Sequence, residues 1–242
     1  MTEHWEVFLS REGTLIRADL GIREIVPIDG ANTLIRVEIR TRSLFSRKLD
    51  YELIGIAEDE IVSQLIDEDH LVGAVTYADC KSFFFYTMQE KRLFNMLDKV
   101  LSKYRKLKCE ISVMDDPGWE YYLQNLYPDS LEKQRILDQK VVEQLKANHD
   151  NHHIPREIKH WIYFKDSRER EDFKNSLNLN FYRIVEENTQ PDRSEHSFEL
   201  ILSHTGTAEF ETITPFTTEL LEKAMRVGGN YDGWESPVML LK

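Results

Sequence analysis

Asp115-Asp116-Pro117-Gly118-Trp119-Glu120-Tyr121-Tyr122-Leu123-Gln124-Asn125-Leu126-Tyr127-Pro128 is the stretch that divides this chain. An aromatic-rich segment with a Pro-Gly turn before it and a proline after it reads as the closing strand of one domain. A shorter echo, Tyr231-Asp232-Gly233-Trp234-Glu235, stands near the C-terminus and reads as the closing strand of another. The expected division is residues 1–129 and 130–242.

Upstream of the first closing segment, His4 to Ser10 and Thr14 to Gly21 alternate around Arg11-Glu12-Gly13 and predict a hairpin. Thr33 to Ser43 alternates strictly, with Ile35, Val37 and Ile39 opposite Arg36, Glu38, Arg40 and Arg42, which predicts a strand with one wet face. From Asp50 to Asp67 the residues Leu53, Ile54, Ala57, Ile61, Leu65 and Ile66 recur at helical spacing. Leu71 to Ala78 and Ser82 to Met88 read as a second hairpin, whose Phe83-Phe84-Phe85-Tyr86 is apolar on both faces and marks a core. Leu93, Phe94, Leu97, Leu101 and Tyr104 outline a second helix, and Leu107 to Met114 a further strand. After the opening hairpin the order is β, α, β, β, α, β.

Downstream, a leading helix spans Leu131 to Lys146, and the same order follows. Ile158 to Phe164 is a strand, and Asp166 with Glu169 signals a capped helix. Phe181 to Val185 and Ser197 to Ser203 are strands across a polar loop. Thr214-Pro215 opens a helix that Gly228-Gly229 stops, and the last strand contains Trp234 and runs to Leu241. The duplicated pattern predicts an α+β protein of two tandem ferredoxin-like domains, each an antiparallel sheet with its helices on one face.

Composition supports folded domains: 242 residues are 41% hydrophobic and 11% aromatic. No apolar run approaches the roughly 18 residues of a membrane span, and Met1-Thr2-Glu3-His4-Trp5 lacks signal-peptide character, so a cytoplasmic protein is expected. The net charge of −12 is shared, −7 over residues 1–129 and −5 over 130–242, and argues against direct nucleic-acid binding and for a basic partner. Cys80 and Cys109 have neither metal nor disulfide spacing and read as small buried hydrophobes.

No G-x-S-x-G elbow and no phosphate-cradling glycine loop occurs, so no catalytic residue, cofactor or metal is assigned. His149, His152, His153 and His160 with Asp150 are the best metal candidates, but a helix C-terminus favours such histidines without a metal. Lys99, Lys103, Arg105, Lys106 and Lys108 could meet phosphates, although they too lie at a helix end. Trp119 and Trp234 are interface anchors if exposed and core if buried.

Residues 130 to 242 resemble the RraB family, protein inhibitors that regulate ribonuclease E. The likeness rests on the leading helix, the strand Ile158-Lys159-His160-Trp161-Ile162-Tyr163-Phe164, the element order and Tyr231-Asp232-Gly233-Trp234. Trp5, Gly73-x-x-Thr76, Phe83 to Tyr86, and Trp119-Glu120-x-Tyr122 through Leu126-Tyr127-Pro128 resemble an uncharacterised bacterial domain family found beside such modules. The resemblance implies a small cytoplasmic regulator that acts by binding, without a cofactor. The added N-terminal domain and the lack of a marked acidic segment in the final module depart from the inhibitors.

Two acidic stretches are the expected docking faces for a basic protein segment, which the resemblance places on a ribonuclease. Leu49 to Cys80 contains nine carboxylates and no Lys or Arg, and residues 184–222 hold nine acids against Arg193. The residues expected to contact a partner are Glu58, Asp59, Glu60, Glu209, Glu211 and Trp234. Solvation alone is the other reading of such runs. The rival function is a hydrolase or RNA-processing enzyme that would gather His160 with carboxylates in a cleft.

Overall fold

In the computed structural model, which describes residues 4–41, 48–189 and 195–240, contacts divide the chain into units Met1–Pro128 and Asp129–Lys242. The first unit runs β1 (Trp5–Leu9), β2 (Leu15–Asp19), a short 3-10 turn (Gly21–Glu24), β3 (Thr33–Thr41), α1 (Tyr51–Val62), β4 (Asp69–Thr76), β5 (Lys81–Thr87), α2 (Glu90–Leu101), β6 (Leu107–Asp115) and a π-helical turn (Tyr122–Leu126). Its six strands form one antiparallel sheet in the order β1-β2-β4-β5-β3-β6. The second unit runs α3 (Ser130–Ala147), β7 (Arg156–Phe164), α4 (Ser167–Asn175), β8 (Arg183–Thr189), β9 (Phe198–Gly206), α5 (Phe210–Val227) and β10 (Asn230–Glu235), with an antiparallel sheet ordered β10-β7-β9-β8. The protein is therefore α+β with two antiparallel sheets. Arg42, Ser43, Arg193 and Leu241 lie outside the described residues.

Alternation in β3 sends Ile35, Val37 and Ile39 to the helix side, where they are fully buried with Phe83 and Phe85 of β5, Ile54, Ala57 and Ile61 of α1, and Leu93 and Leu97 of α2. Asp50 caps α1 by accepting the Leu53 N–H at 3.1 Å. The helix stops at Val62, five residues short of the expected Asp67, because Asp69 takes the Ile66 N–H at 3.1 Å and starts β4.

The Trp119 segment is not a strand. β6 ends at Asp115, and buried Asp116 accepts the N–H groups of Glu120 and Tyr121, both at 2.9 Å, as well as the Tyr86 hydroxyl. This cap turns the chain into a helical turn over the sheet's second face. There Trp119 stacks on Tyr86 with centroids 3.9 Å apart, Tyr121 stacks on Phe84 at 5.0 Å, and the Tyr122 hydroxyl donates to Asp19 O at 2.8 Å. Trp119 itself is wholly buried and donates to Ala31 O at 2.9 Å. Gly73 of β4 permits the close approach, since a Cβ there would lie 2.9 Å from Arg17 O and 3.3 Å from Leu126 Cδ1.

In the second unit α4, α5 and α3 share one face of the sheet. Phe173, Leu220, Leu221 and Ala224 pack on Ile162, Phe164, Leu200 and Leu202, while Val142 and Leu145 of α3 meet Ile158, Ile213 and Trp234. α3 starts with a full capping box, Asp129 with Glu132. Asp166 caps α4 through the Glu169 N–H at 2.9 Å, but the Glu169 carboxylate returns to the Lys165 N–H rather than to Asp166. α5 begins at Phe210, so Pro215 lies within it instead of opening it, and Gly228 closes it at φ 82°. The closing strand is only Asn230–Glu235, because Asp150 draws the following tail away by accepting the Met239 N–H at 2.6 Å and Arg156 donates to Pro237 O at 3.0 Å.

Trp119→Ala removes a buried indole, its stack on Tyr86 and the covering of one sheet face. The expected loss is about 3–5 kcal/mol in urea unfolding, against less than about 0.5 kcal/mol for exposed Glu120→Ala.

Candidate functional site

Within the first unit, the β1–β2 hairpin, β4 and α1 wall a cleft of about 610 Å³. The hairpin pairs Trp5 with Asp19 and Val7 with Arg17, so these side chains share one face of the sheet. α1 presents Glu58, Asp59 and Val62 across from them, and β4 adds Asp69 and His70. Arg17 lies 5.1 Å over the Trp5 ring and ion-pairs with Glu58, whose second oxygen accepts from Lys81 at 3.0 Å. Asp19 accepts the N–H groups of His4 and Gly21, both at 2.9 Å. Asp69 accepts from Thr87 Oγ1 at 2.8 Å and pairs with Arg92.

Of the cleft's own lining, Asp19, Glu58, Asp59 and Asp69 face one guanidinium, that of Arg17. Burial lowers the pKa of His70, which favours its neutral form and leaves the acids uncompensated by imidazolium. Lys81 and Arg92 at the cleft's margin neutralise Glu58 and Asp69 together with Arg17, and the Arg17 guanidinium already rests on the Trp5 ring. Asp59, the exposed acid of this lining, stands outside these ion pairs.

The expected contact residues are dispersed. Glu58 and Asp59 are in this cleft, but Glu58 is committed to Arg17 and Lys81, whereas Asp59 is exposed. Glu60 turns towards Lys103 and the Tyr104 hydroxyl at 2.7 Å; hydrogen bonds from the two hold its carboxyl below the usual value and push the phenol up to about 12. Glu209 accepts from Thr207 at 3.0 Å and pairs with His153 at 2.8 Å, and both contacts lower its pKa. Glu211 is exposed in the first turn of α5, where the helix dipole favours an acid. Trp234 is only 7% exposed, and its indole donates to Asp138 at 3.0 Å. It closes the core and is no protruding anchor, although it also borders a groove of about 470 Å³ between α3 and β10.

Asp138 is fully buried, and its acceptors are filled by Gln134 at 2.8 Å, by Trp234 and by the Thr217 hydroxyl. Burial raises its pKa, against the opposing hydrogen bonds from Thr217, Gln134 and Trp234. His160 is likewise fully buried: Nδ1 meets the Tyr231 hydroxyl at 2.8 Å and Nε2 meets His204 Nδ1 at 2.8 Å. His204 stacks on Phe216 at 3.9 Å, and its Nε2 has no hydrogen-bond partner among the described residues. The neighbours of His160 are thus a phenol and a second imidazole, not the two carboxylates of a hydrolytic cleft. Among the described residues no group of three or more His, Cys, Asp or Glu side chains is placed to hold a metal, and no helix is long and apolar enough to cross a membrane.

Trp5, Arg17, Asp19 and His70 escaped the sequence reading as site residues; Asp69 was within the acidic stretch Leu49–Cys80 but was not singled out. The alternation that marked Trp5, Arg17 and Asp19 as one face of a hairpin was visible; the proximity of that face to α1 was not.

Comparison with known families finds two matches. Residues 3–127 match the model described as Family of unknown function (DUF695), and residues 135–236 match RraB, Regulator of ribonuclease activity B. No curated protein matches the chain in sequence. A crystal structure described as that of a glycine cleavage system transcriptional repressor aligns with 85% of this chain and 98% of its own at 8% identity and a TM-score of 0.26, a superposition too poor to carry any argument.

Burial depresses the His204 pKa to about 4 and that of His160 well below the ordinary value, with His204 as a second cause for the latter. The unfolded chain, whose histidines titrate near 6.5, therefore binds more protons below that pH. The neutral pair's contribution is fully present above pH ~6.5 and is lost as pH falls towards ~4, by roughly 3 kcal/mol for His204 alone. Urea midpoints should fall between pH 7.5 and 5, with a smaller fall in His204→Gln; equal slopes in both proteins would contradict this.

Proposed function

We propose, for a chain that belongs to the family of unknown function DUF695 and matches Regulator of ribonuclease activity B in its second unit, a regulatory role exercised by binding a basic segment of a ribonuclease. The RraB match over residues 135–236 is the observation that carries this reading. Charge supports it: the chain is net −12, and beside α1 the exposed Asp59 stands on the rim of a cleft whose acids Glu58 and Asp69 are ion-paired with Arg17, Lys81 and Arg92. The burial of His160 weighs against the enzyme alternative, since a side chain with no exposed surface reaches no substrate. We further infer a cytoplasmic protein of two domains, 1–129 and 130–242. Both are ferredoxin-like, a reading supported by the βαββαβ order and by the corresponding strand orders β6-β3-β5-β4 and β10-β7-β9-β8.

Purified chain added to a ribonuclease E-type endonuclease should slow cleavage of a single-stranded RNA, and more so at low salt than at high salt. Asp59→Lys and Glu211→Lys alter exposed acids without breaking an ion pair described above, and each should lower the association rate about two- to fivefold at low salt. Cleavage unaffected by the chain at any salt concentration would refute the ribonuclease assignment.

A further inference from the structure

The six-stranded sheet is wider than its helices. Strands about 4.8 Å apart and helices about 10 Å apart mean that α1 and α2 cover roughly four strands, which leaves about two uncovered. The uncovered pair is the β1–β2 hairpin, and its face towards α1 is defined by the pairs Val7 with Arg17 and Leu9 with Leu15. On that face Val7 is 59% exposed, Leu9 47% and Leu15 41%, whereas Phe8, Ile16 and Ala18 on the reverse face are buried. The hairpin thus forms a shelf of Val7, Leu9 and Leu15, interrupted by Arg17 in its ion pair with Glu58, that continues the cleft. One long side is walled by α1, with Val62 46% exposed beside Glu58 and exposed Asp59.

We propose that this shelf receives one amphipathic helix of a basic partner protein, laid across β1 and β2 beside α1 in the place a third helix of the sheet would take. The proposal rests on the reading that the chain acts by binding a basic protein, and it names the surface and the form of the ligand. Two observations select the occupant. Although β1 is an edge strand, the exposed apolar side chains Val7, Leu9 and Leu15 lie on the sheet face, a surface two strands and about one helix wide, so a helix with an apolar stripe matches it. On α1 Glu58 is held by Arg17 and Lys81 while Asp59 is exposed, so the flank of that helix nearest α1 carries Lys or Arg. Asp59 is the exposed acid available to meet them, and the Trp5 ring lies at the end of the shelf where Asp19 pairs with it.

The test uses the full chain and a labelled synthetic peptide of about five helical turns, with a Leu/Ala stripe and Lys/Arg flanks. The control peptide has the same stripe and Glu flanks. Fluorescence anisotropy should show the basic peptide binding at least tenfold more tightly than the acidic one, with the difference shrinking at high salt. The double variant V7E/L15E, with unchanged circular dichroism and urea midpoint, should bind the basic peptide at least tenfold more weakly; Leu9→Lys, a single exposed position, is the second variant should the double one not fold. Backbone amide NMR shifts should concentrate on β1, β2 and α1. Equal binding of the two peptides, undiminished binding by both variants, or shifts confined to other elements would overturn the proposal. So would wild-type self-association that V7E/L15E abolishes, which would make the shelf an interface between copies. If the wild type and V7E/L15E slow the endonuclease equally, the shelf fails and the regulatory reading stands. If neither slows it while the basic peptide binds the shelf, the ribonuclease assignment fails and the shelf stands.

Discussion

A β-sheet has two faces, and each must be buried or remain as a surface that something else can cover. In the first unit both long helices fall on one face, so the other depends on the segment after β6. Asp116 makes this possible. Its carboxylate caps the backbone of Glu120 and Tyr121 while accepting from the Tyr86 hydroxyl, which clamps the Trp119 turn onto the strand it covers. Burial and the hydrogen bond to Asp116 both push the Tyr86 phenol upward, so it stays a protonated donor at physiological pH. With that face closed and four strands covered on the other, the β1–β2 hairpin keeps an open face, and the acidic cleft forms where this face meets α1.

The second unit answers the same constraint differently. Three helices occupy one face, and the third is held by a polar contact at the centre of an apolar core. Asp138 of α3 receives hydrogen bonds from its own helix, from Thr217 of α5 and from Trp234 of β10. A buried carboxylate without partners would cost several kcal/mol, so the three donors are what allow it to join these elements. The Tyr231–His160–His204 chain bridges β10, β7 and β9 in the same manner. These groups specify how the helices and strands meet, and they leave surface chemistry to the exposed acids.

The element order was legible, because alternation in Thr33–Thr41 and helical spacing in Leu93–Leu101 are local properties. By contrast β8, expected at Phe181–Val185, spans Arg183–Thr189 by pairing its polar residues with β9. The errors arose where distant residues override local preference. Tyr121, Tyr122 and Leu126 favour a strand by composition, yet a cap from Asp116 and stacking on β5 make the segment helical. Thr214-Pro215 carries a helix-start signal, but burial of Ile213 and Thr214 against the core draws the helix back to Phe210. The acidic run Glu58-Asp59-Glu60 was visible as charge; its division was not, because Arg17, Lys81 and Lys103 reach it from other elements. The partner of Trp234 lies 96 residues away in sequence, beyond any reading of spacing.

If the chain binds a basic partner as proposed, the first unit meets it through the β1–β2 hairpin and α1. Hydrogen–deuterium exchange of the full chain, alone and with the endonuclease bound, tests it most directly. Slowed exchange is expected in Trp5–Leu9, Leu15–Asp19 and Tyr51–Val62 in the complex, with the protection weakening as salt rises. Protection confined to the second unit, with these three segments unchanged, would contradict it.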